Sequence, residues 1–414
     1  MKRVLLATVT ALALTACGST APKPTGSAQT PSPTSSDSAA AEPTDEPTSD
    51  ATSSSTSTAR PGTTASSSST AAASSPSGSA APAPPVLRVG IIAADRPSFE
   101  KLLDAQRTLG NRAVSATWVS SCAQLSGVDL ALVQGQSCAG TSFPVLSAGP
   151  ALTELTAGLT AITALTVDDR VKLLLDRVLT PKTGSLGVVV ESCAPNERAV
   201  TQTLTPTAKQ RGFTLAATAG VPCGRAAEAG RAVASLQAKQ VAQVVFVSGG
   251  DEAGLVRAFT KTAAAKRFAP LYGITSAAAP ATLADQRDRM VGVGWLPSLD
   301  TTAVTASAEI NDCMRALRKA GADAPSGPAG RFSAYGACDL IRLAASVLRE
   351  TKGSTDAGAF RKAVSALGRA FRAANLYDAA TDFRTRQTGP ATGSAFAWTK
   401  SCPCFSYTGS SFAV

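Results

Sequence analysis

Cysteine supplies the most reactive side chains of this chain, nine in all, and histidine is absent. Without imidazole, every His-based triad, His general base and His-containing metal site is excluded. No G-x-S-x-G nucleophile motif or paired-carboxylate pattern takes its place. The residue types therefore speak against an enzyme, and neither a cofactor nor a metal is expected. Eight cysteines follow Cys17: Cys122, Cys138, Cys193, Cys223, Cys313, Cys338, Cys402 and Cys404. An even set in an oxidising compartment argues for disulfides. Order along the chain favours Cys122 with Cys138, Cys193 with Cys223 and Cys313 with Cys338, each pair bracketing one supersecondary unit, and leaves Cys402 with Cys404. The Cys402-Pro403-Cys404 run also has thiols close enough for a redox couple or part of a metal site. Its neighbours, 396–398 and 405–407, read as strands rather than as a thiol-activating helix N-terminus, which favours a local structural pair.

The compartment is read from the first seventeen residues. Lys2 and Arg3 precede an apolar run over 4–13, followed by Leu14, Thr15, Ala16 and Cys17. That run is too short to remain as a membrane span and reads as a cleaved signal. It resembles a bacterial lipoprotein signal peptide spanning 1–16. The resemblance implies cleavage before Cys17, lipidation of Cys17 including a palmitate-type acyl chain, and a mature protein held at the extracytoplasmic face of the cell membrane. An ordinary secretory signal with an incidental cysteine is the alternative.

From 18 to 85 the chain is almost entirely Ser, Thr, Ala, Pro and Gly, without Phe, Leu, Ile or Val. Such a stretch buries too little apolar surface to offset chain entropy and is expected to be a disordered tether. A flexible chain of this length has a root-mean-square span of about 45 to 50 Å. The tether carries five acidic and two basic residues, and the remainder after Pro85 holds 35 basic and 24 acidic residues, a surplus of eleven positive charges. No four Lys or Arg are adjacent, so the charge reads as a dispersed, solvated surface rather than a docking patch for anionic lipid or wall polymer. Nucleic acid is not an expected partner.

Over 86–414 short apolar runs alternate with amphipathic ones, the pattern of parallel strands joined by crossover helices. Strands are expected at 86–92, 114–119, 129–134, 143–147, 185–190, 214–217, 243–247, 270–274 and 290–295. Helices are expected at 98–109, 168–178, 196–211, 226–240, 252–266, 303–320, 333–350 and 356–367, with a closing strand pair near 395–398 and 405–407. No later segment is apolar and long enough to span a bilayer.

The order of several segments resembles the type I periplasmic binding proteins, particularly the leucine/isoleucine/valine-binding group of ABC importers. The segments are LRVGII at 87–92, FPVLSAGPALTEL at 143–155, AQVVFVSGGDEAGLVRAF at 242–259, APLYGITSA at 269–277, MVGVGW at 290–295, SAYGACDLIRLAASVLRE at 333–350 and DAGAFRKAVSALG at 356–368. The resemblance implies an α/β, two-lobed type I periplasmic-binding-protein-like fold, each lobe a largely parallel sheet flanked by helices. Lobe 1 would comprise about 86–168 and 294–350 and lobe 2 about 180–290, with the C-terminal segment near the hinge. The implied partners are an ABC permease and a small polar solute, amino acid-like, enclosed by hinge closure. The runner-up is a ligand-free sensor or scaffold lipoprotein of the cell envelope on the same fold.

In that fold, ligand sits beyond the carboxyl ends of the strands. The corresponding residues on the first lobe are Asp95, Gln134, Ser147, Ala148 and Gly149. Across the cleft they are Glu191, Ser192, Ser248, Gly249, Asp251 and Thr275, with Trp295 near a hinge. Each has a local alternative: Ser147 and Ser248 suit helix caps, the glycines suit turns, and Asp251 suits a helix first turn. Two departures from the family stand out. The connection 135–142 is short for the family's helix, and 192–197 reads SCAPNE where the family often carries a tyrosine.

Overall fold

The computed structural model describes residues 85–414, apart from 137, 139, 150–155, 157, 178–184, 192–196, 223, 248–251, 263–270, 274–286 and 302–305. The chain divides into two units, Met1–Gly78 and Ser79–Val414, and all described residues lie in the second. The expectations for the signal, Cys17 and the tether fall outside the described residues.

The first sheet is built from β1 (Leu87–Ile92), β2 (Thr108–Leu109), β3 (Arg112–Trp118), β4 (Leu130–Gln134), β5 (Val145–Ala148) and β6 (Leu159–Ala161), in the order β2-β3-β1-β4-β5-β6. Every pairing is parallel except the β2–β3 hairpin. All five residues of β4 are buried. An apolar run without polar alternation does this because helices cover both faces.

The second sheet holds β7 (Leu186–Glu191), β8 (Leu215–Val221), β9 (Gln243–Val247), β10 (Leu271–Gly273), β11 (Met290–Gly294), β12 (Thr392–Thr399) and β13 (Cys404–Tyr407), with order β13-β12-β11-β10-β9-β7-β8. The strands from β7 to β11 pair in parallel, whereas β12 joins β11 and β13 antiparallel. A short β14 (Phe412–Ala413) pairs with β12. The antiparallel hairpin carries Trp398 edge-on to Phe405, ring centroids 5.2 Å apart.

Of the helices, α1 (Arg96–Gln106) starts at a capping Asp95 and buries Phe99, Leu102 and Leu103. Phe99 meets the Trp118 ring edge-on at 5.8 Å. Next come α2 (Val167–Arg177), α3 (Glu197–Gln210), α4 (Ala229–Ala238) and α5 (Glu252–Thr260). After β11 lie the single turn α6 (Pro297–Asp300), α7 (Ala308–Lys319), α8 (Gly327–Glu350) and α9 (Ala357–Leu367). Although they follow the second sheet in sequence, α7 packs on α1, and α8 packs on α1, β4 and β5. The chain thus leaves the first sheet after β6, returns to it after β11, and crosses again after α9 to supply β12.

Differences from the sequence expectation have local causes. The helix expected at 303–320 is the shorter α7, which starts at Ala308 because Ser307 caps it by accepting from the Ile310 N–H at 3.1 Å. The helix expected at 333–350 begins at Gly327, where Pro328 occupies the first turn without forfeiting a ladder bond. The first helix ends at Gln106 because Arg107 turns to φ 56° and the chain enters the β2–β3 hairpin.

Three of the expected disulfides are present: Cys122–Cys138, Cys313–Cys338 and Cys402–Cys404. Cys193 and Cys223 lie outside the described residues. Cys313–Cys338 ties α7 to α8 across a sequence separation of 25. On the chain-entropy model that loop is worth about 3.5 kcal/mol. The Cys313→Ser, Cys338→Ser double variant should therefore lose about 3 kcal/mol of unfolding free energy in urea titration, with a steeper denaturant slope because the unlinked denatured chain exposes more surface.

Candidate functional site

The carboxyl ends of the first sheet's strands bring Asp95, Gln134, Ser147, Ala148 and Gly149 together. Gln134 and Ser147 are buried there, and Asp95 is half-buried. Gln134, buried at the end of β4, accepts from the Ala94 N–H at 3.0 Å and donates to the Ser333 carbonyl at 2.6 Å. One amide thereby ties the β1–α1 turn to α8. Gly336 of α8 makes room for this: a Cβ there would stand 3.1 Å from Gln134 Nε2 and 3.3 Å from the Ala148 Cβ. Ser147 donates to the Gln136 carbonyl at 2.8 Å, and Asp95 accepts from the Ser98 N–H at 3.3 Å as the cap of α1. The Gly149 carbonyl accepts from Thr163 Oγ1 at 2.8 Å.

The rim of this region is a shallow recess of about 450 Å³ lined by Ala93, Arg96, Trp118, Val119, Ser120 and Gln124. Arg96 lies over the Trp118 ring at 5.0 Å, and the Cys122–Cys138 bridge links the segments that follow β3 and β4. On the second sheet, Glu191 is buried at the end of β7 and accepts from the Gly224 N–H at 3.2 Å. Ser192, Ser248, Gly249, Asp251 and Thr275 lie outside the described residues.

Trp295 follows β11 and is buried, its indole donating to the Thr163 carbonyl at 2.8 Å. Since Thr163 follows β6, this one bond joins the exits of the two sheets. The Trp295 carbonyl accepts from the Tyr377 N–H at 2.8 Å, which adds the third crossing segment. That segment also runs beside β6, where the Ala161 N–H donates to Gln387 and the Gly389 N–H donates to Ala161. The approach is so close that a Cβ on Gly389 would stand 2.2 Å from the Ile162 carbonyl oxygen.

Two buried carboxyls that sequence reasoning did not single out complete the junction. Asp339, on the inner face of α8, accepts from the Ala374 and Asn375 N–H groups at 2.8 and 3.0 Å. The Asn375 side chain in turn donates to the Phe332 carbonyl at 2.7 Å and accepts from Ser298 Oγ at 3.0 Å. Asp300, in α6, accepts from the Leu296 N–H at 2.7 Å and from the Tyr407 hydroxyl at 2.6 Å through one oxygen. Its other oxygen is buried and unpartnered. Burial pushes Asp300 up to about 8 against those hydrogen bonds, and Asp339 up to about 7 against its two backbone donors. An acidic residue inside an apolar helix face, as Asp339 is in ACDLI, was the available signal; Asp300 had none.

Among the described residues, no group of three or more His, Cys, Asp or Glu side chains converges to hold a metal ion. No described helix is long and apolar enough to cross a membrane.

No protein-family model and no curated protein matches the sequence. Solved structures do match. A solute-binding protein of an ABC transporter from Rhodopseudomonas palustris HaA2, in complex with p-hydroxybenzoic acid, is 12% identical, with 80% of this chain and 97% of that chain covered at a TM-score of 0.57. A fatty acid ABC transporter substrate-binding protein from Thermomonospora curvata is 14% identical, with 80% and 92% covered at 0.55. A periplasmic binding protein type 1 from Bordetella pertussis Tohama I is 15% identical, with 79% and 100% covered at 0.56. The fold of this chain is that of the type I periplasmic binding proteins.

The two buried carboxyls set a pH dependence with a definite sign. A carboxyl whose folded pKa is raised binds a proton in the folded state that the unfolded chain has released, so stability falls as pH rises between the two values. For Asp300 the window runs from about 4 to about 8, and for Asp339 from about 4 to about 7. Urea midpoints measured across that range should decline as pH rises, each pKa unit being worth about 1.4 kcal/mol. Asp300→Asn, uncharged at every pH, should abolish the decline above about pH 7 and leave only the share of Asp339 below it.

Proposed function

We propose that this chain is an extracytoplasmic solute-binding lipoprotein of an ABC importer, anchored through Cys17 and closing two lobes around a small polar ligand. The observation that carries the reading is the architecture: two largely parallel sheets, entered and re-entered by one chain through three crossing segments, in the fold of the solute-binding proteins named above. Crossing segments of this kind are natural hinges, since a few residues at element ends absorb the angular change of closure. Ligand then lies beyond the strand ends, contacted by Arg96, Trp118 and Ser120 on one side and by the 191–192, 248–251 and 275 segments on the other. The partners are the solute and an ABC permease, and the reading is of binding rather than catalysis.

Ligand class is the open dimension of the reading. An amino acid-like solute follows from the sequence resemblance, whereas one of the solved structures named above carries p-hydroxybenzoic acid and another is named for fatty acids. One observation favours the second reading, a ligand-free sensor or scaffold: Gln134, Ser147 and Asp95 spend their hydrogen bonds on the protein's own backbone.

A thermal-shift screen of the full chain separates the two. Amino acids, amides, short peptides, sugars, aromatic acids and fatty acids form the library. A true ligand at a hundred times its dissociation constant adds about 2.7 kcal/mol of stability, a shift of several degrees. Silence across all classes sinks the transport reading and leaves the scaffold.

A further inference from the structure

A second recess lies apart from the strand ends, on the edge of the first sheet. It measures about 790 Å³ and is enclosed by α9, the segment 383–387 and Thr160 of β6. That size falls within the roughly 300 to 1,000 Å³ typical of small-molecule sites. Its charge is one-sided. Arg361 and Lys362 of α9 and Arg384 and Arg386 of the opposite segment line it, and no carboxylate does.

The four cations are not equivalent. Arg384 is occupied by Asp382, at 2.8 Å through Nε and 2.6 Å through Nη2, and Asp382 is shared with Arg369. Those arginines hold the Asp382 carboxyl well below the usual carboxylate range. Arg386 donates to the Val414 carbonyl oxygen. Arg361 and Lys362 are exposed and have no ion-pair partner among the described residues. Two adjacent free cations over a recess match a dianion better than a single carboxylate. A phosphate monoester carries about two negative charges near neutrality and offers three oxygens, and the guanidinium fork suits it. Beneath the cations the floor is apolar, formed by buried Phe383 and Val364.

We propose that this recess binds an amphiphilic phosphate ester, its phosphate held by Arg361 and Lys362 and its apolar part seated on Phe383 and Val364. The site is separate from the strand ends, so it stands whether or not a solute is found there. A lipid headgroup and a free phosphate ester share this chemistry.

The test is calorimetric titration of the full chain with octyl phosphate below its micellar concentration, alongside octanoate and octanol. Octyl phosphate should bind, and the Arg361→Ala, Lys362→Ala double variant should bind it about tenfold or more weakly, as expected for two charge-assisted contacts. The Arg318→Ala, Lys319→Ala pair removes the same residue types from exposed positions of α7 and should leave binding unchanged. Both variants lie on the surface, and an unchanged melting temperature verifies that they fold. Sedimentation with phosphatidylcholine vesicles carrying phosphatidic acid, whose headgroup is a phosphate monoester, against phosphatidylcholine vesicles alone, assigns the source. Capture lost with the α9 pair marks a lipid headgroup, and octyl phosphate binding without capture marks a free ester. The proposal is overturned if neither probe binds, if the α7 pair weakens binding as much as the α9 pair, or if octanoate binds as tightly as octyl phosphate.

Discussion

Backbone that passes from one sheet to another leaves both ladders, and its buried N–H and C=O groups must still find partners. In this protein the obligation is met by a small set of buried side chains. Asp339 takes two consecutive amides of the last crossing, Trp295 binds the carbonyl that follows the first, and Asp300 takes the amide that opens α6. Asn375 extends the set by joining α8 to α6. Leaving a buried donor or acceptor unmade costs about 1 to 3 kcal/mol, so each staple constrains where the chain can cross. The positions of both sheets, and of everything displayed at their strand ends, follow from that.

The same economy governs the strand ends themselves. Gln134 holds a turn and a helix in one grip, and Ser147 and Asp95 each close a local bond. Preorganisation of this kind gives a stiff frame, which favours precise recognition when ligand contacts come from elsewhere. Here the exposed chemistry of the first sheet's rim is the Arg96–Trp118 stack, with Ser120 and Gln124 beside it. A cation over an aromatic face in a partly desolvated corner presents both charge and flat apolar area.

Charge illustrates how a folded chain concentrates what its sequence disperses. Basic residues are spread along 86–414 without any run of four, which reads as ordinary solvation. Folding sets α9 against the 383–387 segment, so residues twenty or more positions apart share one recess from which carboxylates are missing. Only Arg361 and Lys362 are neighbours in sequence.

The strands and most helices of this protein were legible from local pattern. Four- to six-residue apolar runs such as LALVQ and QVVFV cannot be solvated and read as strands buried on both faces, and their alternation with amphipathic segments defines a parallel α/β fold. Three disulfides were legible too, since neighbouring cysteines bracket single supersecondary units. Tertiary structure decided the rest. Whether Gln134 faces a ligand or Ser333 depends on α8, which lies about 200 residues further along the chain, as the separation of 199 between those two residues records. Asp339 left a local trace in the apolar ACDLI window, whereas nothing within a local window distinguishes Asp300, which grips the start of α6, from a carboxyl that is merely solvated. Local sequence sets which segments form, because that depends on near neighbours. Which polar groups are spent and which stay free depends on contacts between segments far apart in the chain, and only the assembled fold brings those together.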